Sequence, residues 1–234
     1  NKSSEFLKKK NIQSHKLDSE LLLSKVLKKT REELIINQNQ KVNKDKIYNF
    51  NKLIKRRSLR EPIAYILNKK EFWSKEFKVN KHVLVPRPET ELMVEIIIKT
   101  LKNNRKKMNM LDIGTGTGCI LISILSELEL CTGVGIDISK EAITLAKKNA
   151  LKHKLNKRVK FYTRSVDDSF NQKYDLIVSN PPYIKRNEII NLQDDIKKFE
   201  PKLALDGGND GLDVIKKVIY KSKSILKVNG ILAL

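Results

Sequence analysis

Between Met108 and Leu128 the chain sets a short apolar run, Met108 to Ile113, directly ahead of Gly114-Thr-Gly116-Thr-Gly118, and follows the glycines with a second apolar run, Cys119 to Leu128. Few folds accommodate that order. A short continuous apolar run bounded by glycines reads as a strand buried on both faces, and the longer run behind it as a buried helix. Strands buried on both faces occur where a parallel sheet carries crossover helices. The glycines let the backbone come close to a ligand, and the helix that follows offers N–H groups without intrahelical partners.

The rest of the second half keeps the alternation. A strand is expected from Thr132 to Ile136, a helix from Lys140 to Leu151, a strand from Arg158 to Tyr162 and another over Asp175-Leu-Ile-Val-Ser179. A helix from about Gly211 to Leu226 and a final strand from Gly230 complete the series. The fold class is therefore α/β, an open and mostly parallel sheet with ligands at the carboxyl ends of its strands. Residues 1 to 68 read differently. Leu17, Leu21, Leu22 and Val26 recur at helical spacing after Ser14, Thr30-Arg-Glu-Glu33 is a capping box, and Ile47, Phe50 and Ile54 mark a further amphipathic helix. From Glu71 to Val85 the pattern turns strand-like, with Phe72, Trp73, Phe77 and Val79 followed by His82-Val-Leu-Val85, and a hairpin connector is expected. It stops at Pro86-Arg-Pro-Glu-Thr90, where a helix begins and runs to about Leu101. The organisation expected is a helical domain over 1–68, a connector over 69–88 and an α/β domain over 89–234.

The glycine spacing narrows the ligand. A dinucleotide site uses G-x-G-x-x-G. Here the third glycine comes one residue early and Cys119 stands where that pattern wants glycine, so Gly114, Thr115, Gly116, Thr117 and Gly118 suit S-adenosylmethionine better than NAD. Asp137 ends the next strand, where a carboxylate can accept both ribose hydroxyls; NAD sites place an acid similarly, so Asp137 does not discriminate.

Asn180-Pro181-Pro182-Tyr183, at the end of a buried strand, points to methylation of a planar amino group. Such a nitrogen is a poor nucleophile because its lone pair is delocalised, so a catalyst must hold both N–H bonds and aim the lone pair. The Asn180 side-chain oxygen and the Pro181 carbonyl can accept the two hydrogens, and the prolines restrict Asn180 and Pro181 so that both acceptors are in place beforehand. The Tyr183 ring can pack on the flat face of the group being held.

Composition bounds the alternatives. The chain of 234 residues is 40% hydrophobic, enough for a sizeable core with a smaller second domain. No apolar stretch approaches 18 residues and the Asn/Lys-rich start lacks an apolar signal core, so membrane spanning and export are not expected and a cytoplasmic location is. Cys119 and Cys131 lie in apolar runs without nearby histidine, and His15, His82 and His153 are scattered, which argues against a metal centre or a disulfide framework. A formal charge of +21 suggests an anionic partner such as RNA, yet only 9 of 48 basic residues are arginine and the lysines are spread evenly along the chain. Direct nucleic-acid binding is not favoured.

The motifs together resemble the peptide chain release factor N5-glutamine methyltransferase family (PrmC/HemK). The resemblance rests on Glu61-Pro-Ile-Ala-Tyr65, Glu71-Phe-Trp73, Val85-Pro-Arg-Pro-Glu-Thr-Glu91, Leu111-Asp-Ile-Gly-Thr-Gly-Thr-Gly118, Ser179-Asn-Pro-Pro-Tyr-Ile184, and Phe199-Glu-Pro with Ala204-Leu-Asp-Gly-Gly208 and Asp210-Gly-Leu-Asp213. It covers nearly the whole chain. It implies a Rossmann-like class I S-adenosylmethionine-dependent methyltransferase sheet whose last strands lie beyond residue 234, preceded by a helical domain that recognises the substrate. The implied reaction is methyl transfer to the glutamine of the Gly-Gly-Gln motif in class 1 release factors, by a monomer. The family places an acid and a bulky residue near the adenine; this chain has Ser165-Val166 there, with Asp167 and Asp168 displaced, so Val166 is the expected apolar contact. Two rivals remain at this level: an RNA or DNA amino-methyltransferase acting on adenine or guanine, and a nonenzymatic binding module that keeps the fold.

Overall fold

The computed structural model describes residues 2–37, 41–103 and 106–234. Two compact units emerge: residues 1–68 with Gln193–Phe199, and Lys69–Leu192 with Glu200–Leu234. No helix among the described residues is long and apolar enough to cross a membrane.

The first unit is built from α1 (Lys2–Lys9), α2 (His15–Leu27), α3 (Arg31–Ile36), α4 (Lys44–Ser58) and α5 (Ile63–Leu67). Leu7, Ile12, Leu22, Ile54 and Ile66 form its core, with Phe50 and Leu53 packed against them. The capping box opens α3 as expected: Thr30 Oγ1 accepts from the Glu33 amide, and the Glu33 carboxylate accepts from the Thr30 amide. Of the apolar stripe on α2 only Leu22 is fully buried, while Leu17 is 42% exposed. The buried charges of this unit are paired. Arg57 Nε donates to Asp18 at 2.6 Å and Arg57 Nη1 to Asp195 at 2.6 Å, and Arg57 and Asp18 are only 6% and 2% exposed. Asp195 belongs to α9 (Asp194–Phe199), a short helix that the sequence patterns did not reveal. The chain thus leaves the α/β unit at residue 193 to complete the helical one, and a buried arginine with a carboxylate on two sides holds the visiting segment.

In the second unit, β1 (Lys69–Phe72) and β2 (Lys75–Lys78) pair antiparallel around Trp73-Ser74, both at positive φ, which is the backbone of a two-residue hairpin turn. His82 to Val85, expected as strand, is irregular. Its backbone is engaged elsewhere: the Val85 amide donates to Glu200 at 3.2 Å. Helix α6 (Thr90–Leu101) leads to a five-stranded parallel sheet in the order β5 (Val159–Thr163), β4 (Thr132–Asp137), β3 (Asn109–Ile113), β6 (Tyr174–Ser179), β7 (Leu226–Ala233), with α7 (Cys119–Glu127), α8 (Lys140–Lys152) and α10 (Asp213–Ile225) as crossovers. These bounds fall within a few residues of the periodicity except for β7. That strand starts at Leu226 directly from α10, with a register irregularity opposite Tyr174 and Leu176.

The sheet centre carries the apolar core. Leu176, Ile177 and Val178 of β6 and Met110 and Leu111 of β3 are 0% exposed. Each such side chain contributes roughly 1.5–3 kcal/mol when removed from water. Leu121, Ile122, Ile124 and Leu125 of α7 and Ile143 and Ala146 of α8 pack with Leu176 and Val178 on one face, and Val218 and Ile225 of α10 pack with Leu111 and Ile177 on the other. Strand order reverses at β3, so the carboxyl ends of β4, β3 and β6 meet at the crevice where ligands bind in open α/β sheets.

Candidate active site

The glycine loop is pinned to the sheet at its base and open above. The amides of Gly114 and Thr115 both donate to the Ile136 carbonyl of β4 at 2.9 Å. Gly114 and Gly116 take φ of +72° and +54°, and a Cβ built on either would meet no atom within 4 Å. Backbone at positive φ beside open space is a surface a ligand can approach closely. The two threonines face the other way. Thr115 and Thr117 are 6% and 2% exposed; Thr115 Oγ1 donates to Asp112 Oδ2 at 2.6 Å, and Thr117 Oγ1 accepts from the Cys119 amide at 3.3 Å. Both hydroxyls are committed inside the protein, so what these residues present to the crevice is backbone.

Asp137 closes the loop from the β4 side. Its carboxylate accepts from the Gly116 amide and the Ser139 amide, each at 2.9 Å, which fixes the side chain while leaving lone pairs on both oxygens. Burial pushes this carboxyl above its ordinary range and the amide hydrogen bonds pull it back.

Asn180 stands one strand away. Ile113 and Ser179 are register partners and Ser179 Oγ donates to the Ile113 carbonyl at 2.7 Å, so Gly114 and Asn180 leave adjacent strands side by side. With strands about 4.8 Å apart, the carboxyl ends of β4, β3 and β6 set Asp137, Gly114 and Asn180 in a row across the crevice. Asn180 Nδ2 donates to Thr90 Oγ1 at 3.4 Å, which turns Oδ1 away from that contact. Pro181 is buried and Pro182 half-buried, whereas Tyr183 is 65% exposed with its ring free.

The backbone that follows is held by a loop on which sequence reasoning had placed no role. The Ile184 amide donates to Leu205 O at 3.2 Å, the Gly207 amide to Ile184 O at 2.9 Å and the Arg186 amide to Gly208 O at 2.9 Å. A Cβ on Gly211 would lie 2.5 Å from the Tyr183 carbonyl oxygen and one on Gly207 would lie 2.8 Å from Tyr183 Cα, so these glycines permit the close approach that braces Asn180-Pro-Pro-Tyr.

Val166 lies against the residues that precede Gly114 and Asp137. It is half-buried and packs against the cluster of Leu111, Ile113 and Ile136. The loop around it is shaped by Ser165 Oγ accepting from the Asp167 amide and by Asp168 Oδ2 accepting from the Ser165 amide at 3.0 Å, so the Asp168 carboxylate folds back onto the Ser165 backbone.

Three further residues shape the site although the sequence assigned none of them a role. Asp112 is fully buried; burial pushes its carboxyl up to about 7, and its Oδ1 has no hydrogen-bond partner. An acid two residues before the first loop glycine, on an otherwise apolar strand, was the available signal. Asn149, 0% exposed, donates to Thr117 O at 2.9 Å and to Lys78 O at 3.1 Å while accepting from the Lys78 amide, and so ties the glycine loop to β2. Glu200 accepts from Arg87 Nη2 at 2.7 Å as well as from the Val85 amide, locking the connector that ends in Thr90. Both cysteines are free and buried, with the Cys119 thiol pushed up to about 12 by burial.

Comparison with known proteins agrees with this architecture. Residues 1–67 match the family described as the PrmC N-terminal domain and residues 104–234 one described as a methyltransferase domain. The chain is 39% identical to the release factor glutamine methyltransferase of Clostridium acetobutylicum, over 99% of this chain and 82% of that protein. With the enzyme of the same name from Caulobacter vibrioides it shares 37% identity over 97% of this chain and 78% of that one. It is also 38% identical to a bifunctional methyltransferase of Rickettsia typhi, covering 98% of this chain and 48% of the relative, so the chain spans about half the length of such proteins. Among solved structures, the hMettl16 catalytic domain in complex with MAT2A 3′UTR hairpin 1 superposes with a TM-score of 0.51 at 16% identity, over 74% of this chain and 62% of that one, a likeness of fold alone. A class I methyltransferase sheet with a PrmC-type helical domain before it, and relatives matched from end to end of this chain, make it a member of the release factor glutamine methyltransferase family.

Proposed function

We propose that this protein transfers a methyl group from S-adenosylmethionine to the side-chain amide nitrogen of the glutamine in the Gly-Gly-Gln motif of class 1 release factors, acting as a cytoplasmic monomer. The observation that carries this reading is the adjacency of Asn180-Pro-Pro-Tyr183 and the open glycine loop at the strand ends, set by the Ile113 and Ser179 register. Family membership supplies the substrate class.

The residues present fit the cofactor. Gly114 and Gly116 leave open space along the loop, Asp137 offers fixed lone pairs to a ribose diol, and the unpartnered Asp112 Oδ1 suits a cationic donor such as an ammonium, reached directly or through a water. Bound there, S-adenosylmethionine supplies a methyl carbon on positively charged sulfur, open to displacement by the glutamine nitrogen. The protein's own part is orientation. Asn180 Oδ1 and the Pro181 carbonyl accept the two amide hydrogens and direct the lone pair, and Tyr183 covers the amide plane. The proton needs no side-chain base, because it becomes acidic only as the new C–N bond forms and then passes to water.

Incubation of the protein with radiolabelled S-adenosylmethionine and either an intact release factor or RNA tests the reading. Label on the release-factor glutamine, located by mass spectrometry, is expected. Label in nucleic acid with that glutamine unmodified would replace it with a nucleic-acid amino-methyltransferase. For the cofactor, Asp137→Ala is expected to weaken binding of S-adenosylhomocysteine by about 1.5–3 kcal/mol, the range for hydrogen bonds to a charged group. Calorimetry decides: NAD bound as tightly as S-adenosylhomocysteine by the unaltered protein would refute the assignment of the glycine loop.

A further inference from the structure

Basic residues that the sequence spreads evenly are gathered by the fold on one open face of the sheet. Strands β5 and β6 are joined by residues 164–173, which form no helix, and α10 packs over Leu111 of β3 and Ile177 of β6. The face of β4 and β5 opposite α7 and α8 is thus left without the helical cover that a parallel sheet usually carries. A groove of about 640 Å³ runs along it, with Lys157 and Arg158 at its foot, Lys160 midway and Arg164 at its head. Register sets Lys160 beside Val134 and Tyr162 beside Ile136, so a cation and an aromatic ring share this surface with aliphatic side chains. Val166 and Phe170 of the connecting loop pack beside Ile136, yet Tyr162 stays 48% exposed. The positive charge is not neutralised in place. No acidic residue lines the groove, Lys157 and Lys160 form no ion pair among the described residues, and Arg164 stands 3.9 Å from Asp168. Arg158 donates to the Leu128 and Cys131 carbonyls, which fixes its guanidinium without cancelling its charge. Arg164 lies over the Phe170 ring, its Cζ 5.5 Å from the centroid, a cation–π contact that anchors it at the groove head.

We propose that this groove binds a single-stranded nucleic acid, as a ligand held apart from the methyl-transfer site. Its lining includes none of Gly114, Asp137 and Asn180. Four basic side chains along the groove track a phosphate backbone, while the Tyr162 ring and the Arg164 guanidinium offer surfaces on which unpaired bases stack. The formal charge of +21 raises the local concentration of such a polyanion before contact. A duplex gains less, because its bases already stack on one another and leave Tyr162 without a partner. An acidic protein segment also fits less well. Lys160 stands in the middle of the floor, so no continuous apolar stripe remains for the apolar side of a helix to cover.

The test titrates labelled single-stranded RNA and single-stranded DNA oligonucleotides of mixed sequence with the full chain over a salt series, read by fluorescence anisotropy. Lys157→Gln/Lys160→Gln and Tyr162→Ser are compared with the unaltered protein and with Lys9→Gln/Lys10→Gln, which removes the same charge from the helical unit. All of these positions are exposed, and circular dichroism melts verify the fold. The unaltered protein is expected to bind at least one of the two strands, the tighter one naming the source. The groove pair is expected to weaken that binding about tenfold or more and to make the slope of log K against log salt shallower by about 1.4. Tyr162→Ser is expected to weaken it about fivefold or more, the loss of one stacked base. If the serine variant does not fold, the lysine pair decides by itself. Binding of neither strand overturns the proposal, as does a groove pair that binds like the unaltered protein. An equal loss in the Lys9/Lys10 variant overturns it too, since charge anywhere on the surface would then suffice. So does a glutamate- and leucine-rich peptide bound more tightly than either oligonucleotide and lost in the groove pair, because the groove would then hold a protein segment. Binding is read without cofactor or methyl transfer, so failure of the release-factor reading leaves this test standing.

Discussion

Alanine at position 180 is expected to lower kcat/KM on the release-factor substrate by a hundredfold or more while shifting the dissociation constant of S-adenosylhomocysteine by less than about tenfold. The reason lies in what Asn180 can offer. Its Nδ2 is taken by Thr90, so its free acceptor is Oδ1, and in the proposed mechanism an amide hydrogen meets that oxygen only when the glutamine is in place. Removing one preorganised acceptor leaves the Pro181 carbonyl to hold the amide alone, and the lone pair is no longer aimed. Asn180→Asp is expected to be poor as well, because a carboxylate can meet Thr90 only by accepting from its hydroxyl, which reverses that hydrogen bond and no longer fixes which oxygen faces the substrate. Steady-state kinetics on intact release factor, with calorimetry for the cofactor product, measures both quantities. Retention of more than about a tenth of the activity by the alanine variant would remove Asn180 from the orienting role.

Asp112→Asn is expected to stabilise the ligand-free protein at pH 8 and to weaken its cofactor binding. Asp112 is fully buried and its carboxyl is pushed up to about 7 by desolvation, with the Asp137 charge adding to the rise and the Thr115 hydroxyl opposing it. An unfolded aspartate titrates near 3.9. The folded state therefore disfavours the ionised form, and stability falls as pH rises from about 4 to about 7 and is level above that. Three pKa units correspond to roughly 4 kcal/mol at most. Asparagine is neutral and can still accept from Thr115, so the variant escapes this penalty, less what its unpartnered NH₂ costs. Its advantage in urea unfolding is expected to be largest at pH 8 and to vanish toward pH 4. Binding of S-adenosylhomocysteine is expected to weaken by about 1.5–3 kcal/mol, because the orphan Oδ1 is the proposed acceptor for a cationic group. A stability difference independent of pH would sink the electrostatic account, and unchanged affinity would sink the role in binding.

The local signals that were legible in the chain share a short range. The capping box at Thr30 and Glu33, the glycine loop between β3 and α7, and the buried runs of β3, β4 and β6 depend on residues within about one turn or strand of each other, so their chemistry is visible in sequence order. The position of Asn180 at a strand end was legible for the same reason, since an apolar run cannot continue through two prolines. His82 to Val85 misled because an alternating apolar pattern says nothing about where a backbone finds its partners; the Val85 amide finds Glu200, 115 residues on.

What the sequence by itself determined, then, is most of the elements, with α9 and the irregular His82 to Val85 as exceptions, their α/β order and the motifs at the strand ends. The tertiary structure alone decided how those motifs are held. It turned the Thr115 and Thr117 hydroxyls inward, since Gly135 leaves room for Thr115 beside Phe161 where a Cβ would stand 2.9 Å from the hydroxyl. It made Asp112 a buried acid with a free oxygen, made Asn149 the tie between loop and hairpin, and sent residues 193–199 to the helical unit through Arg57. Apart from the free Asp112 oxygen, each of these contacts joins a polar group to a partner whose place depends on packing, because leaving a buried polar group unpaired costs more than a local preference contributes.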